Sequence, residues 1–156
     1  HLNYSNITWG LSKSKDIDQI RKHQKRAIRI IVGANYNAHT EILFGQSKIL
    51  KFDDLVNLNI LNFISKFFHK KLPESFDNMF KVLSSQRSKK LLISIPKTKH
   101  LEYFPAVSFP KLWNNLRNEI RLSDSVKKSL SMIKKDYFLN YKSFHCNKRK
   151  CFSCKK

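Results

Sequence analysis

The pattern of apolar and polar positions predicts a chain built mostly of helices. Between Ser14 and Gly33, apolar residues recur three or four positions apart, which is the spacing of one helix face. Ser14 is a suitable N-cap and Gly33 a suitable C-terminal stop, so we expect a helix over Lys15–Val32. The apolar stripe of this helix comprises Ile17, Ile20, Ala27, Ile28 and Ile31.

Helical spacing continues further along the chain. His39-Thr40 could cap a short helix over residues 41–44, closed by Gly45. A longer helix is predicted from residue 52 to about 71, with acidic residues at its start, lysines at its end and Pro73 as its stop. Two more helices are predicted over 111–121, with Pro110 at its first position, and from 124 to about 141, capped by Ser123.

A small β element is also expected. Residues 91–95 form a brief apolar run, and residues 103–109 alternate between apolar and polar positions around Pro105. The two runs are close enough in sequence to pair as a hairpin. The predicted fold class is therefore mostly α, a helical domain with one small β-hairpin near 91–109.

The composition adds a large positive charge to this picture. The chain has 156 residues, of which 41% are hydrophobic, so a core can form. Its 31 Lys and Arg residues face 11 Asp and Glu residues, which gives a net charge of +20. A polyanion would relieve the repulsion within such a surface, so RNA or DNA is the expected partner and an anionic membrane surface the alternative. The abundance of Asn, Lys, Ile and Phe is also typical of AT-rich coding, which inflates Lys without any function.

The placement of the charge is more informative than its total. From Lys127 to the end of the chain the only acidic residue is Asp136. The cations predicted to bind nucleic acid are Lys25, Arg26 and Arg29 on the first long helix, Lys127, Lys128, Lys134 and Lys135 on the last helix, and Lys148, Arg149 and Lys150 in the tail. The alternative is that these are only solvated helix faces. The aromatic residues that could stack on bases are Tyr4, Trp9, Tyr36, Tyr137, Tyr141 and Phe144, although most are expected in the core.

The tail holds the one candidate metal site. Its possible ligands, with a C-x4-C-x2-C spacing of the cysteines, are His145, Cys146, Cys151 and Cys154. Adjacent His145 and Cys146 coordinate one zinc ion only with awkward backbone geometry. The fourth ligand could instead be His1, His23, His39, His69 or His100. The alternative is a flexible basic tail with free thiols.

No pattern in the sequence indicates a catalytic site. Three scattered glycines cannot form a phosphate-binding loop, and helix capping explains the adjacent Asp53 and Asp54. No stretch approaches the roughly 18 apolar residues of a membrane span, and the start of the chain lacks the pattern of a signal peptide. The three cysteines do not form a secreted disulfide framework, so we expect an intracellular protein. Because the chain begins at His1 rather than Met, we expect a fragment that is not an enzyme by itself.

Five short motifs also follow one another in a specific order. They are the run from His1-Leu2-Asn3-Tyr4 to Trp9-Gly10, Gln24-Lys25-Arg26-Ala27-Ile28-Arg29-Ile30-Ile31, His39-Thr40 with Leu43-Phe44, Leu72-Pro73-Glu74-Ser75-Phe76, and Lys111-Leu112-Trp113-Asn114-Asn115-Leu116. Together they resemble the segments Y-G-x-x-x-W-G, LQKRAIRII, H-T-x-P-L-F, L-P-x-x-F and P-x-x-W-N-x-L-P of LINE-type non-LTR retrotransposon reverse transcriptases. Ser5 replaces the first glycine, Ile42 replaces a proline, and the last proline is missing. The family's T-R step has only Gln86-Arg87 as its nearest counterpart.

This resemblance covers roughly residues 1–140 and implies the region downstream of the polymerase palm. Residues 1–33 would be the end of the thumb, 34–141 a helical C-terminal domain and 142–156 a basic Cys-rich tail. In that family the whole protein copies its RNA into DNA at a nicked chromosomal target, and the catalytic aspartates lie upstream in the palm. The Cys-rich tails of many relatives favour zinc.

The resemblance thus implies a non-catalytic segment that holds template RNA, primer or target DNA, in the nucleus and in a cytoplasmic ribonucleoprotein. The alternatives are a structural or protein-interaction scaffold without nucleic-acid contact, and a decayed element fragment.

Overall fold

The computed structural model of the protein describes residues 5–12, 14–83 and 88–142. Within these ranges the regular structure is helical apart from one isolated β-bridge, so the predicted mostly-α class is confirmed. The α-helices are α1 (Asn6–Trp9), α2 (Lys15–Val32), α3 (Thr40–Gln46), α4 (Phe52–Phe68), α5 (Pro105–Asn114), α6 (Asn118–Arg121) and α7 (Val126–Lys142). Short 3-10 helices cover Glu74–Phe76 and Lys99–Tyr103.

Helix α4 lies at the centre of the fold, and α1, α5 and α7 pack on it. Its apolar residues recur around most of its circumference, as expected for a helix that is covered on several sides. The buried members of the main core are Ile17, Phe52, Val56, Leu58, Ile60, Leu61, Ile64, Phe80, Leu91, Phe109, Trp113, Ile120 and Ile133. A second cluster joins Ile28 of α2 to Leu43 and Phe44 of α3 and to Tyr141 of α7.

The predicted bounds of α2 are confirmed, together with both of its caps. The Ile17 amide donates to Ser14 Oγ at 3.3 Å, and Gly33 ends the helix in the left-handed region at φ 65°. Two predicted members of its apolar stripe are buried, Ile17 and Ile28. Ile31 is 67% exposed, so the core does not cover the far end of the stripe.

Three other helix ends differ from the prediction. Helix α3 continues through Gly45, where an added Cβ would lie 3.2 Å from Cβ of Tyr141, so glycine allows the close packing of α7. Helix α4 ends at Phe68, before Pro73, because the chain turns at Lys70 with φ 50°. Helix α7 begins at Val126, later than predicted, because the Ser123 hydroxyl forms a local turn with Ser125, donating to its carbonyl and accepting from its amide.

The predicted hairpin over 91–109 is wrong. Tyr103 ends the second 3-10 helix, and residues 105–109 lie in α5, where Pro105 occupies the first turn, a position in which its fixed φ suits a helix. The buried residues of α5, Val107, Phe109 and Trp113, fit helical spacing as well as the alternation that suggested a strand. Pro110 therefore lies inside a helix and does not begin one, and the predicted helix over 111–121 is interrupted between α5 and α6.

Residue 91 pairs instead with an earlier segment of the chain. Val82 and Leu91 form an isolated antiparallel bridge, flanked by hydrogen bonds from the Leu92 amide to the Lys81 carbonyl and from the Leu83 amide to the Lys90 carbonyl. Helix α5 holds this segment through the side chain of Asn114. Its amide oxygen accepts from the Leu91 amide at 2.9 Å, and its amide nitrogen donates to the Leu91 carbonyl at 2.8 Å. Side-chain bonds to α5 thus replace the predicted strand pairing.

Candidate nucleic-acid interface

The solvent-facing side of α2 carries a row of exposed residues. Lys22, Arg26 and Ile30 are spaced four residues apart, so they lie on one side of the helix, roughly opposite buried Ile28. Among the described residues, no ion pair joins Lys22 or Arg26 to a carboxylate. Both charges are therefore available to a ligand.

Arg21, in contrast, is engaged within the fold. Its guanidinium contacts Asp53 at 2.8 Å and Asp18 at 2.6 Å. These bonds, above all the one with Asp53, raise the pKa of Arg21. Arg21 thus links α2 to the start of α4 and adds little to the positive field of the surface.

The two predicted cations that flank Arg26 are less free, because Arg29 is hydrogen-bonded to the loop before α3 and the charge of Lys25 acts on Glu41 of α3. The Arg29 Nε donates to the Ala38 carbonyl at 3.1 Å, which holds the loop between α2 and α3. Lys25 faces Glu41. Burial raises the pKa of Glu41, but its hydrogen bond with Lys51 and the charges of Lys51 and Lys25 outweigh burial and lower the pKa. Of the three cations predicted on α2, Arg26 is thus the least engaged.

A concave site lies where α2 ends. A cavity of about 370 Å³ is lined by Arg26, Arg29, Ile30, Gly33, Ala34 and Tyr36. The Tyr36 ring is 75% exposed, and Cζ of Arg29 lies 5.8 Å from its centroid, within cation–π range. The site therefore combines two guanidinium groups with apolar and aromatic walls.

Three other aromatic residues named from the sequence have structural roles. Trp9 stacks on Phe52 with ring centroids 5.5 Å apart, and Tyr137 and Tyr141 pack into the clusters between α7 and its neighbours. Burial and the charge of Asp54 raise the pKa of Tyr137 to about 12. Tyr4 and Phe144 lie outside the described residues. Tyr36 is thus the one of the four described candidates that is largely exposed.

The four lysines predicted on α7 are all exposed. Helix α7 runs antiparallel to α4, because Ser129 Oγ lies 3.2 Å from Ser65 Oγ near one end of the pair while Tyr141 donates to Asp54 at the other. Lys127 and Lys128 therefore lie about 20 Å along the helix from Tyr141, which contacts the α2 and α3 cluster. Lys134 and Lys135 lie between these two ends. The cations of α7 thus form an elongated surface separate from the cavity on α2.

The remaining predicted site residues belong to the tail. Lys148, Arg149 and Lys150, and the candidate zinc ligands His145, Cys146, Cys151 and Cys154, lie outside the described residues. In the ranges 5–12, 14–83 and 88–142, no three His, Cys, Asp or Glu residues are grouped so that they could hold a metal ion. None of the helices in these ranges is long and apolar enough to cross a membrane.

Sequence reasoning named Tyr36 but did not combine it with Arg26 and Ile30. A projection of α2 at 100° per residue would have placed Lys22 and Ile30 beside Arg26. The cavity itself depends on how the 34–38 loop folds back on Arg29, which the spacing of apolar residues does not predict.

A comparison of the chain with models of known families, with curated proteins and with solved structures finds no match.

Proposed function

We propose that this chain binds nucleic acid as a non-catalytic segment of an RNA-directed DNA polymerase of the non-LTR retrotransposon type. It would hold template RNA, primer or target DNA beside a polymerase palm that this chain does not contain. The observation that carries the proposal is the set of exposed cations on α2 and α7. The same proposal places the protein in a ribonucleoprotein of the cytoplasm and nucleus.

The pairing of the acidic residues supports this assignment. Asp18 and Asp53 pair with Arg21, Glu41 pairs with Lys51, and Asp136, the only acid on α7, pairs with Arg117 at 2.8 Å. These carboxylates are thus engaged with arginines and a lysine that brace the fold. The excess charge remains on lysines and Arg26 at the surface, where phosphates can displace their counterions.

The motifs of the resemblance give the proposal its polymerase context. Several of their residues hold the fold together. Gln24 bonds the backbone of Leu50 and Phe52 where α4 begins. Trp113 Nε1 donates to the Lys89 carbonyl at 2.7 Å, and an added Cβ at Gly10 would collide with Val56 at 2.5 Å. Such positions tolerate few substitutes, so the resemblance of this chain to the reverse transcriptases at these positions supports a shared fold.

Salt-dependent binding tests the proposal. Fluorescence anisotropy with labelled single-stranded RNA, single-stranded DNA and duplex DNA should give an affinity that falls steeply between about 50 and 200 mM salt. The double variant Lys22→Gln/Arg26→Gln should make the logarithmic salt slope for single strands shallower by about 1.4, if each cation contacts one phosphate. Lys127→Gln/Lys128→Gln should act in the same direction.

The matched control is Lys97→Gln/Lys111→Gln, which removes the same charge from exposed positions outside α2 and α7. It should leave the salt slope nearly unchanged. Absence of binding at low salt would overturn the proposal, and so would an affinity that does not respond to salt.

A second candidate function is a scaffold that packs against the polymerase or another protein. The exposed Ile30, Ile31 and Val32 favour it, because contiguous exposed apolar residues often mark a protein contact. If the chain is such a scaffold, the unaltered protein should not bind nucleic acid, and Ile31→Ser should abolish its association with the palm-containing protein.

A further inference from the structure

The exposed apolar residues of α2 are concentrated at its C-terminal end. Ile30 is 80% exposed and Ile31 67%, whereas Ile28, only two residues earlier, is 2% exposed. Arg26 stands one turn before Ile30, and Tyr36 follows in the loop. An apolar surface with Arg26 at its edge, which forms no ion pair with any described carboxylate, suits a ligand that is flat and apolar at one end and anionic at the other.

The cavity beside these residues has the size of a small-ligand site. Its volume of about 370 Å³ lies within the range of roughly 300–1,000 Å³ that such pockets have. Ile30, Ala34 and Tyr36 supply apolar surface, and the guanidinium groups of Arg26 and Arg29 supply charge. An added Cβ at Gly33 would meet nothing within 4 Å, so the site is open to solvent on that side.

Hydrogen bonds hold the wall of the cavity in place before any ligand arrives. The Ala34 amide donates to the Arg29 carbonyl at 2.9 Å, and the Ala38 amide donates to the Asn35 carbonyl at 2.9 Å. The Arg29 side chain spans the loop by donating to the Ala38 carbonyl. Because the turn is already ordered, the backbone that carries Tyr36 loses little conformational entropy when a ligand stacks on the ring.

We propose that this cavity binds one unpaired nucleobase of a single strand, stacked on Tyr36 and packed against Ile30, with the adjoining phosphate at Arg26. Lys22, one turn away, is placed for the next phosphate. The inference rests on the proposed function and makes it more specific, because it selects single-stranded over duplex nucleic acid. In a duplex both faces of a base are covered by its neighbours, whereas an unpaired base offers a free face to an aromatic ring.

Binding measurements on three probes test this inference. The probes are a short single-stranded RNA, the same strand with abasic sites, and a duplex of the same length. Tyr36→Ala should weaken binding of the intact single strand about 5- to 100-fold and leave the abasic strand and the duplex nearly unaffected. Tyr36→Phe keeps the ring and should retain wild-type affinity within about twofold.

Two controls distinguish base stacking from charge attraction and from nonspecific apolar contact. Arg26→Gln should weaken all three probes to a similar extent, because it removes a phosphate contact. Leu139→Ala removes an exposed apolar residue of α7 and should change none of them.

An equal effect of Tyr36→Ala on all three probes would overturn the base site, as would no effect on any. In both cases salt-dependent binding would still stand, so the proposed function would survive. If no probe binds, the proposed function itself fails. Tyr36-dependent binding to phosphatidylserine vesicles, without a preference for the intact strand over the abasic one, would assign the patch to a membrane and also overturn the inference.

Discussion

The two halves of α2 follow the same helical pattern but meet different surroundings. In the first half, up to Gln24, the inward side chains contact α4 and Arg21 is paired with carboxylates. In the second half, Ile28 is covered, while Ile30 and Ile31 are exposed to solvent beside Arg26, which has no carboxylate partner in the part of the chain that the structure describes. The first half is thus built into the fold, and the second half presents a surface.

Gln24 marks the boundary between these halves. Its side-chain nitrogen donates to the Leu50 carbonyl at 2.9 Å, and its oxygen accepts from the Phe52 amide at 2.7 Å. The Phe52 amide belongs to the first turn of α4, which has no partner for it within the helix. A side chain from α2 therefore satisfies a group that a local cap would usually satisfy. The comparison teaches that periodicity identifies a helix face, while other segments of the chain decide how far it is covered.

A matched pair of alanine substitutions should separate the two halves most strongly. Ile28→Ala removes a side chain that is almost completely buried and should lower the free energy of unfolding by about 2–5 kcal/mol. Ile31→Ala, on the same predicted stripe, removes mainly exposed surface and should change it by less than about 0.5 kcal/mol. Chemical denaturation of both variants measures the difference. Equal losses would mean that the end of α2 is covered and that the comparison fails.

A smaller effect is expected at the boundary residue. Gln24→Ala leaves the Phe52 amide and the Leu50 carbonyl without their partner and should cost about 1–3 kcal/mol of unfolding free energy. Gln19→Ala is the control, because Gln19 is exposed on the same helix, and it should be nearly neutral. Thermal unfolding of both variants would show whether the bonds of Gln24 matter. A Gln24 variant as stable as the control would contradict this account.

At Ile28, the covered position in the second half of α2, the helix packs on Tyr141, whose hydroxyl group predicts a response to alkaline pH. Tyr141 accepts from the Lys51 amide at 3.1 Å and donates to Asp54, and burial followed by this bond to Asp54 raises its pKa. A raised pKa means that the unfolded chain loses its proton first, so stability present below pH 10 is lost as the pH rises above it. Between about pH 9 and 11, Tyr141 should account for a loss of stability of up to about 1.4 kcal/mol.

Unfolding curves at both pH values test this sign. Tyr141→Phe will start from a lower stability, because it removes two hydrogen bonds, but its loss on going to high pH should be smaller than that of the wild type. Tyr36→Phe alters an exposed ring in the loop after α2 and should leave the pH dependence unchanged. The same alkaline loss in all three proteins would contradict the assigned role of Tyr141.

The sequence predicts the local features of this fold well and the distant ones poorly. The bounds of α2 follow from Ser14, Gly33 and the spacing between them, all of which act within a few residues. The segment around Leu91 does not pair with residues 103–109, because their alternation fits a helix as well as a strand, and because Leu91 is held by the side chain of Asn114, 23 residues away. In the same way, the charges of α2 were visible in the sequence, but the engagement of Arg21 by Asp53 was not.

The smallest expected effect concerns two arginines that look equivalent in the sequence. Arg21 and Arg26 lie on one helix, yet only Arg21 has carboxylate partners among the described residues. Surface ion pairs contribute at most about 1 kcal/mol, so Arg21→Gln should lower stability by less than that and Arg26→Gln hardly at all. Nucleic-acid affinity should show the reverse order, because only Arg26 is available to a phosphate. If the two variants lose equal affinity for nucleic acid, the ion pairs of Arg21 open on binding. The difference between the two halves of α2 would then hold for their apolar residues and not for their charges.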